Sequence, residues 1–162
     1  MVKVDYNSFF EKLTTKAFQF LIQDYGYVYR DTQTFGFGAS SVFENNIIQV
    51  EVSWDIRDNY IDVIFVPRVS SKSKEIIRKD EIYLEYLLRV VAPDVKLKHK
   101  VDGDILEELP TELTLMHFSD TLKKYGKELL QGDMFIWKKA LEKQRQIVGK
   151  ILEARKQIPP QK

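Results

Sequence analysis

The 162-residue chain contains no cysteine. Disulfides, thiolate metal sites and cysteine nucleophiles are excluded together, and a reducing compartment fits best. Histidine is nearly as scarce: His99 and His117 stand alone. Two distant histidines without thiolates make a poor ligand set for zinc. No stretch reaches the ~18 uninterrupted apolar residues of a membrane span. The opening Met1-Val2-Lys3-Val4-Asp5 has no apolar run of signal-peptide length. A bacterial cytoplasmic protein with no cofactor is the expectation.

What is present suits a folded domain. Hydrophobic residues make up 44% and charged residues 30%, and ten Phe, eight Tyr and two Trp supply a core. Disorder is thereby excluded. The length suits one core, so residues 1–158 are expected to form one domain, with 159–162 a frayed tail. The net charge of +1 conceals an asymmetry. Residues 1–70 carry 6 basic and 9 acidic side chains (−3), residues 71–121 carry 8 and 11 (−3), and residues 122–162 carry 11 and 4 (+7).

The pattern of apolar residues changes period along the chain. Tyr6, Phe10, Leu13, Ala17, Phe20 and Leu21 recur at helical spacing and predict a helix from Asp5 to Tyr25, with Asp5 as N-cap and Gly26 as stop. Ile48, Val50, Val52 and Trp54 then alternate with polar residues, as do Ile61, Val63 and Phe65, so two strands with one wet face are expected. Asp55-Ile56-Arg57-Asp58-Asn59 is a turn between them. Asn45-Asn46 reads as a two-residue hairpin turn after a Ser41–Glu44 strand, and Tyr27–Asp31 as a further strand. Pro67 ends the sheet, and Ser70–Lys74 reads as a mobile polar connection. Later helices are expected over Asp80–Ala92, Thr111–Leu130 and from the Asp133 cap to about Gln157, with 94–110 a charged loop. The predicted fold is α+β: a three- to four-stranded antiparallel meander packed against an N-terminal helix and three later helices.

Motifs of known chemistry fail on their context. Phe35-Gly36-Phe37-Gly38 lacks the third glycine of a dinucleotide loop and leads into a strand, where phosphate binding needs a helix N-terminus. Gly38-Ala39-Ser40-Ser41-Val42 lacks the second glycine of a nucleophile elbow. His99, between Lys98 and Lys100, is expected in solvent, and His117 on a helix. Asp102, Asp104, Glu107 and Glu108 depart from the EF-hand spacing and read as a solvated acidic loop. No catalytic set emerges, and the chain is not expected to be an enzyme.

Two surfaces remain. Glu51, Asp55, Arg57, Asp58 and Asp62 sit on or beside the central hairpin and are the candidate partner-binding residues. Glu51 is expected to face solvent, and Asp55, Arg57 and Asp58 to pair within their turn. Lys138, Lys139, Lys143, Arg145 and Lys150 form a candidate basic surface on the last helix, whose opposite stripe includes Met134, Trp137, Leu141, Val148, Ile151 and Leu152. That helix is expected first as a solvated structural face, next as a homo-oligomer contact where it outruns the sheet, and last as a nucleic-acid surface.

The alternating stretch from Ser41 to Val50, continued by Trp54-Asp55 and Tyr60–Val63, together with Leu129-Leu130-Gln131-Gly132-Asp133-Met134-Phe135, resembles small bacterial α+β proteins, some grouped with toxin-neutralising immunity proteins. The resemblance covers about half the chain and implies a non-catalytic protein that acts by binding another protein. The near-neutral charge departs from immunity proteins that block nucleases, which are strongly acidic. The alternatives are a nucleic-acid binder using the last helix and a small hydrolase using the hairpin carboxylates.

Overall fold

The computed structural model describes residues 5–68, 78–104 and 106–158. The expected connection Ser70–Lys74 and the tail 159–162 lie outside them. The chain enters through α1 (Tyr6–Ala17) and α2 (Gln19–Tyr25), then forms β1 (Val28–Phe35), β2 (Gly38–Glu44), β3 (Ile48–Asp55) and β4 (Tyr60–Pro67). A 3-10 turn at Arg78–Asp80 leads to β5 (Ile82–Tyr83), α3 (Leu84–Val91), α4 (Glu108–Tyr125), α5 (Lys127–Leu130) and α6 (Met134–Lys156). The fold is α+β, and the five strands form one antiparallel sheet in chain order.

Several expected signals act as anticipated. Asp5 accepts from the amides of Asn7 and Ser8 at the start of α1, and Gly26 closes α2 at φ 68°. Asp133 caps α6 by accepting from Phe135 and Ile136. In the sheet, Phe43, Val50, Val52, Trp54, Ile61, Val63 and Phe65 face the helices and are buried. Trp54 is the anchor. Its ring stacks on Phe10 at 5.4 Å and meets Phe9 and Tyr6 of α1, while its Nε1 donates to Asn59 Oδ1 at 3.1 Å. A buried hydroxyl chain joins the layers: Tyr29 to Thr32 at 2.8 Å, Thr32 to Ser41 at 2.7 Å and Ser41 to Thr14 at 2.6 Å. Lys12–Glu108 at 2.8 Å and Lys16–Glu112 tie α1 to α4.

The structure also departs from expectation. The first helix breaks at Phe18, where the Thr14 and Thr15 hydroxyls bond back to Phe10 and Glu11 carbonyls and loosen the turn. The break buries Phe18 against Phe43 while α2 still buries Phe20 and Leu21. The Asn45 connection is three residues long, not two, and takes its shape from the Asn45 side chain, whose Oδ1 accepts from Ile47 and Ile48. Ile82-Tyr83, expected inside a helix, instead extends the sheet beside Ile64 and Phe65, making five strands where three or four were expected. Gln144 of α6 secures that edge: its Oε1 accepts from Tyr83 N and its Nε2 donates to Glu81 O. Finally, α4 starts at Glu108, three residues before Thr111, and ends at Gly126, so α5 is separate.

No helix among the described residues is long and apolar enough to cross a membrane.

Candidate functional site

Side chains alternate across a strand, so the residues between the core-facing ones in β2 and β3 form a second face. The register places Gln33, Ser40, Ser53 and Asp62 in one row across the strands, and Asp31, Val42, Glu51, Ile64 and Tyr83 in the next. This outer face is concave. It holds a trough of about 870 Å³ whose lining, among the described residues, comes from the strands and the residues beside them. Four inter-strand steps make it roughly 19 Å across.

Its electrostatics are organised by internal pairing. Arg30 Nε lies 2.8 Å from Glu44 Oε1, and Arg68 Nη1 lies 3.4 Å from the same oxygen. Arg68 also donates to Asn45 O at 2.8 Å, so both guanidinium groups are held in place. Deeper in the trough, Gln49 Nε2 donates to Glu51 Oε1 at 2.5 Å. Ser40, 9% exposed, has a hydroxyl with no hydrogen-bond partner.

The expected partner-binding residues separate into three environments. Glu51 lies opposite Trp54 as expected but does not face open solvent. It is 5% exposed and lines the trough between β2 and β4. Asp55, Arg57 and Asp58 stay in the β3–β4 turn. Asp55 Oδ1 accepts from the amides of Arg57 and Asp58, and Arg57 lies 3.9 Å from Asp55 and 3.7 Å from Asp58. Such exposed pairs contribute ~0–1 kcal/mol each. Asp62 shares the outer face but leans away from Asp55 and Asp58 toward the segment that follows α3.

That segment brings in a residue whose position the sequence misjudged. His99 is not in solvent; its side chain is 13% exposed and stacks flat on Tyr60 at 4.7 Å. The cause is backbone pairing: Ile61 N donates to His99 O, and Val101 N to Asn59 O, so 99–101 runs along the end of β4. His99 Nδ1 donates to Ile61 O at 3.0 Å and lies 3.8 Å from Asp62 Oδ1; Nε2 lies 3.8 Å from Glu85 Oε2. Burial pushes the Asp62 carboxyl up to about 7, with Glu85 adding to the rise and the Val63 amide opposing it. Tyr60 is likewise pushed up to about 12 by burial. The alternation of β4 set Asp62 apart from Ile61 and Val63 without fixing its face, and nothing local linked it to a histidine 37 positions later. His117, on α4 as expected, accepts from Lys98 N at 3.4 Å.

The remaining candidates diverge. Asp102 pairs with Lys98 and Glu108 with Lys12. Among the described residues, no three His, Asp or Glu side chains are grouped to hold a metal ion. Gly36 and Phe37 form the two-residue turn of the β1–β2 hairpin, with Gly36 at φ 52°, and Gly38 opens β2 under the Phe35 ring. Lys138, Lys139, Lys143, Arg145 and Lys150 are all exposed on α6, where Lys139 lies over the Phe135 ring and Arg145 bonds Asp80 at 2.9 Å.

No family model, curated protein or solved structure matches the chain.

Proposed function

We propose that this chain is a non-catalytic protein-binding domain whose outer sheet face receives a segment of a partner protein, in the manner of a toxin-neutralising immunity protein. The observation that carries this reading is the trough of about 870 Å³. Its volume lies within the range of ligand pockets, but its width of roughly 19 Å suits a surface element better than an enclosed small molecule. The lining is also prepared for docking. Arg30, Arg68 and Glu44 are fixed by one another before any partner arrives, which lowers the ordering cost of association. The unsatisfied Ser40 hydroxyl gains a partner if a polar group displaces its surroundings.

The test is co-purification from the native host with wild type, Ser53→Arg and Gln23→Arg. Ser53 lies in the middle of the trough; Gln23 is exposed on α2. A stoichiometric protein retained by wild type and Gln23→Arg but lost with Ser53→Arg is expected. Recovery of nothing stoichiometric, or equal recovery with Ser53→Arg, removes the reading.

A second reading has one observation behind it. Lys139, Lys143 and Lys150 fall within about 40° of one another around α6 and present a short exposed basic strip, which favours nucleic acid. Binding to duplex DNA that weakens steeply with salt supports it, and absent or salt-independent binding removes it.

A further inference from the structure

The first half of α6 packs on α3 and β5 through Trp137, Ala140 and Gln144. At 100° per residue these side chains, with Leu141, occupy one stripe of the helix. The same stripe continues through Val148, Ile151 and Leu152, but there the body has ended. Their exposures are 38%, 44% and 52%, and every residue from Lys150 to Ile158 is exposed. A helix of this kind therefore carries its packing surface about 18 Å past Gln144 with nothing described against it.

The charges around the stripe select what fits. Between Lys143 and Ile158 the helix holds five basic residues and one acid, Glu153. Glu153 lies about 150° around the helix from the centre of the stripe, on the far side. Arg155 lies within the stripe itself and Lys156 borders it, while Arg145 at the other border is already paired with Asp80. A second copy of the same helix would set Arg155 and Lys156 against an equally basic face, and like charges in such a pairing repel. A segment with apolar anchors at helical spacing and acidic flanks meets both the stripe and its border.

We propose that the projecting end of α6, from Val148 to Lys156, is a docking helix for an acidic amphipathic helical segment of another protein. The proposal stands apart from the sheet trough, since none of these residues lines it.

The experiment uses the full chain and three dye-labelled synthetic peptides of 18 residues: an amphipathic one with Leu anchors and Glu flanks, its Lys-flanked counterpart, and a scrambled form of the first. Fluorescence anisotropy is read at low and moderate salt. Binding of the Glu-flanked peptide is expected, at least tenfold tighter than the scrambled form and weaker at the higher salt. Two exposed variants keep the test independent of folding, with far-UV circular dichroism as the check. Ile151→Glu with Leu152→Glu should lose at least tenfold in affinity. Arg155→Glu with Lys156→Glu should lose the Glu-flanked peptide and gain the Lys-flanked one. Equal binding of the scrambled peptide, no binding, or failure of the charge reversal to exchange the two peptides overturns the proposal. So does concentration-dependent dimerisation of wild type abolished by Ile151→Glu, or tighter binding to a 20-base-pair DNA duplex than to the Glu-flanked peptide.

Discussion

Replacing Asp62 with Asn should make the protein more stable at neutral and alkaline pH. The Asp62 side chain is 16% exposed and its carboxyl is raised from about 3.8 to about 7, chiefly by burial. The native state therefore holds the proton more tightly than the unfolded chain does. Stability from this group is complete below about pH 4 and declines as pH rises through about 7, because the unfolded state then binds fewer protons than the native one. A displacement of this size corresponds to roughly 4 kcal/mol once Asp62 is fully ionised. About 1.5–2 kcal/mol of that is already lost near pH 5, where the unfolded carboxyl has ionised. Asn keeps an oxygen to accept from Val63 N and carries no charge, so the advantage of Asp62→Asn over wild type should grow by about 2–3 kcal/mol between pH 5 and pH 8. Urea unfolding of both proteins at those two pH values measures it. A constant difference would refute the burial argument. A variant less stable than wild type at pH 8 would show that an Asp62–His99 ion pair across 3.8 Å outweighs desolvation.

Other substitutions test the packing. Ser41→Ala removes the link between Thr14 and Thr32, each of which keeps at least one other partner, and should lower unfolding free energy by about 1–2 kcal/mol in denaturant titration. Gly132→Ala places a Cβ 2.9 Å from Ile47 Cδ1 at a φ of 88° and should lower stability by about 1–2 kcal/mol. Gly149→Ala meets open space inside α6. Its gain of about 1 kcal/mol should appear as roughly fivefold slower amide exchange around Gly149, with little change in the global midpoint.

The parts of the fold visible in sequence were those decided by local rules. Period-two alternation in Ile48–Trp54 and Ile61–Phe65 located β3 and β4, and Asp5, Gly26 and Asp133 marked helix ends through interactions within three residues. What escaped was set at a distance. Ile82-Tyr83 has too few residues to show a period, and becomes a strand only because Ile64 and Phe65 offer an edge. Phe18 breaks its helix to reach Phe43 across the core. The candidate surfaces divide the same way. The composition of the basic helix could be read directly, and its overreach was expected from length alone. Glu51's burial is a property of the assembled outer face, and the Asp62–His99 approach depends on segment 99–101 returning to β4.

The position of Arg30 has a consequence for how these molecules behave in a crowded solution. Strand β1 lies at the margin of the sheet, pairing only with β2, and offers eight residues of backbone to any passing extended chain. Tyr29 pairs with Phe43 and Asp31 with Val42, so Arg30 is an extra residue that bulges the strand. A bulge twists the margin away from the flat geometry that a second strand would need. The inserted residue thus makes that margin a poorer template for side-by-side pairing of molecules than a regular strand would be.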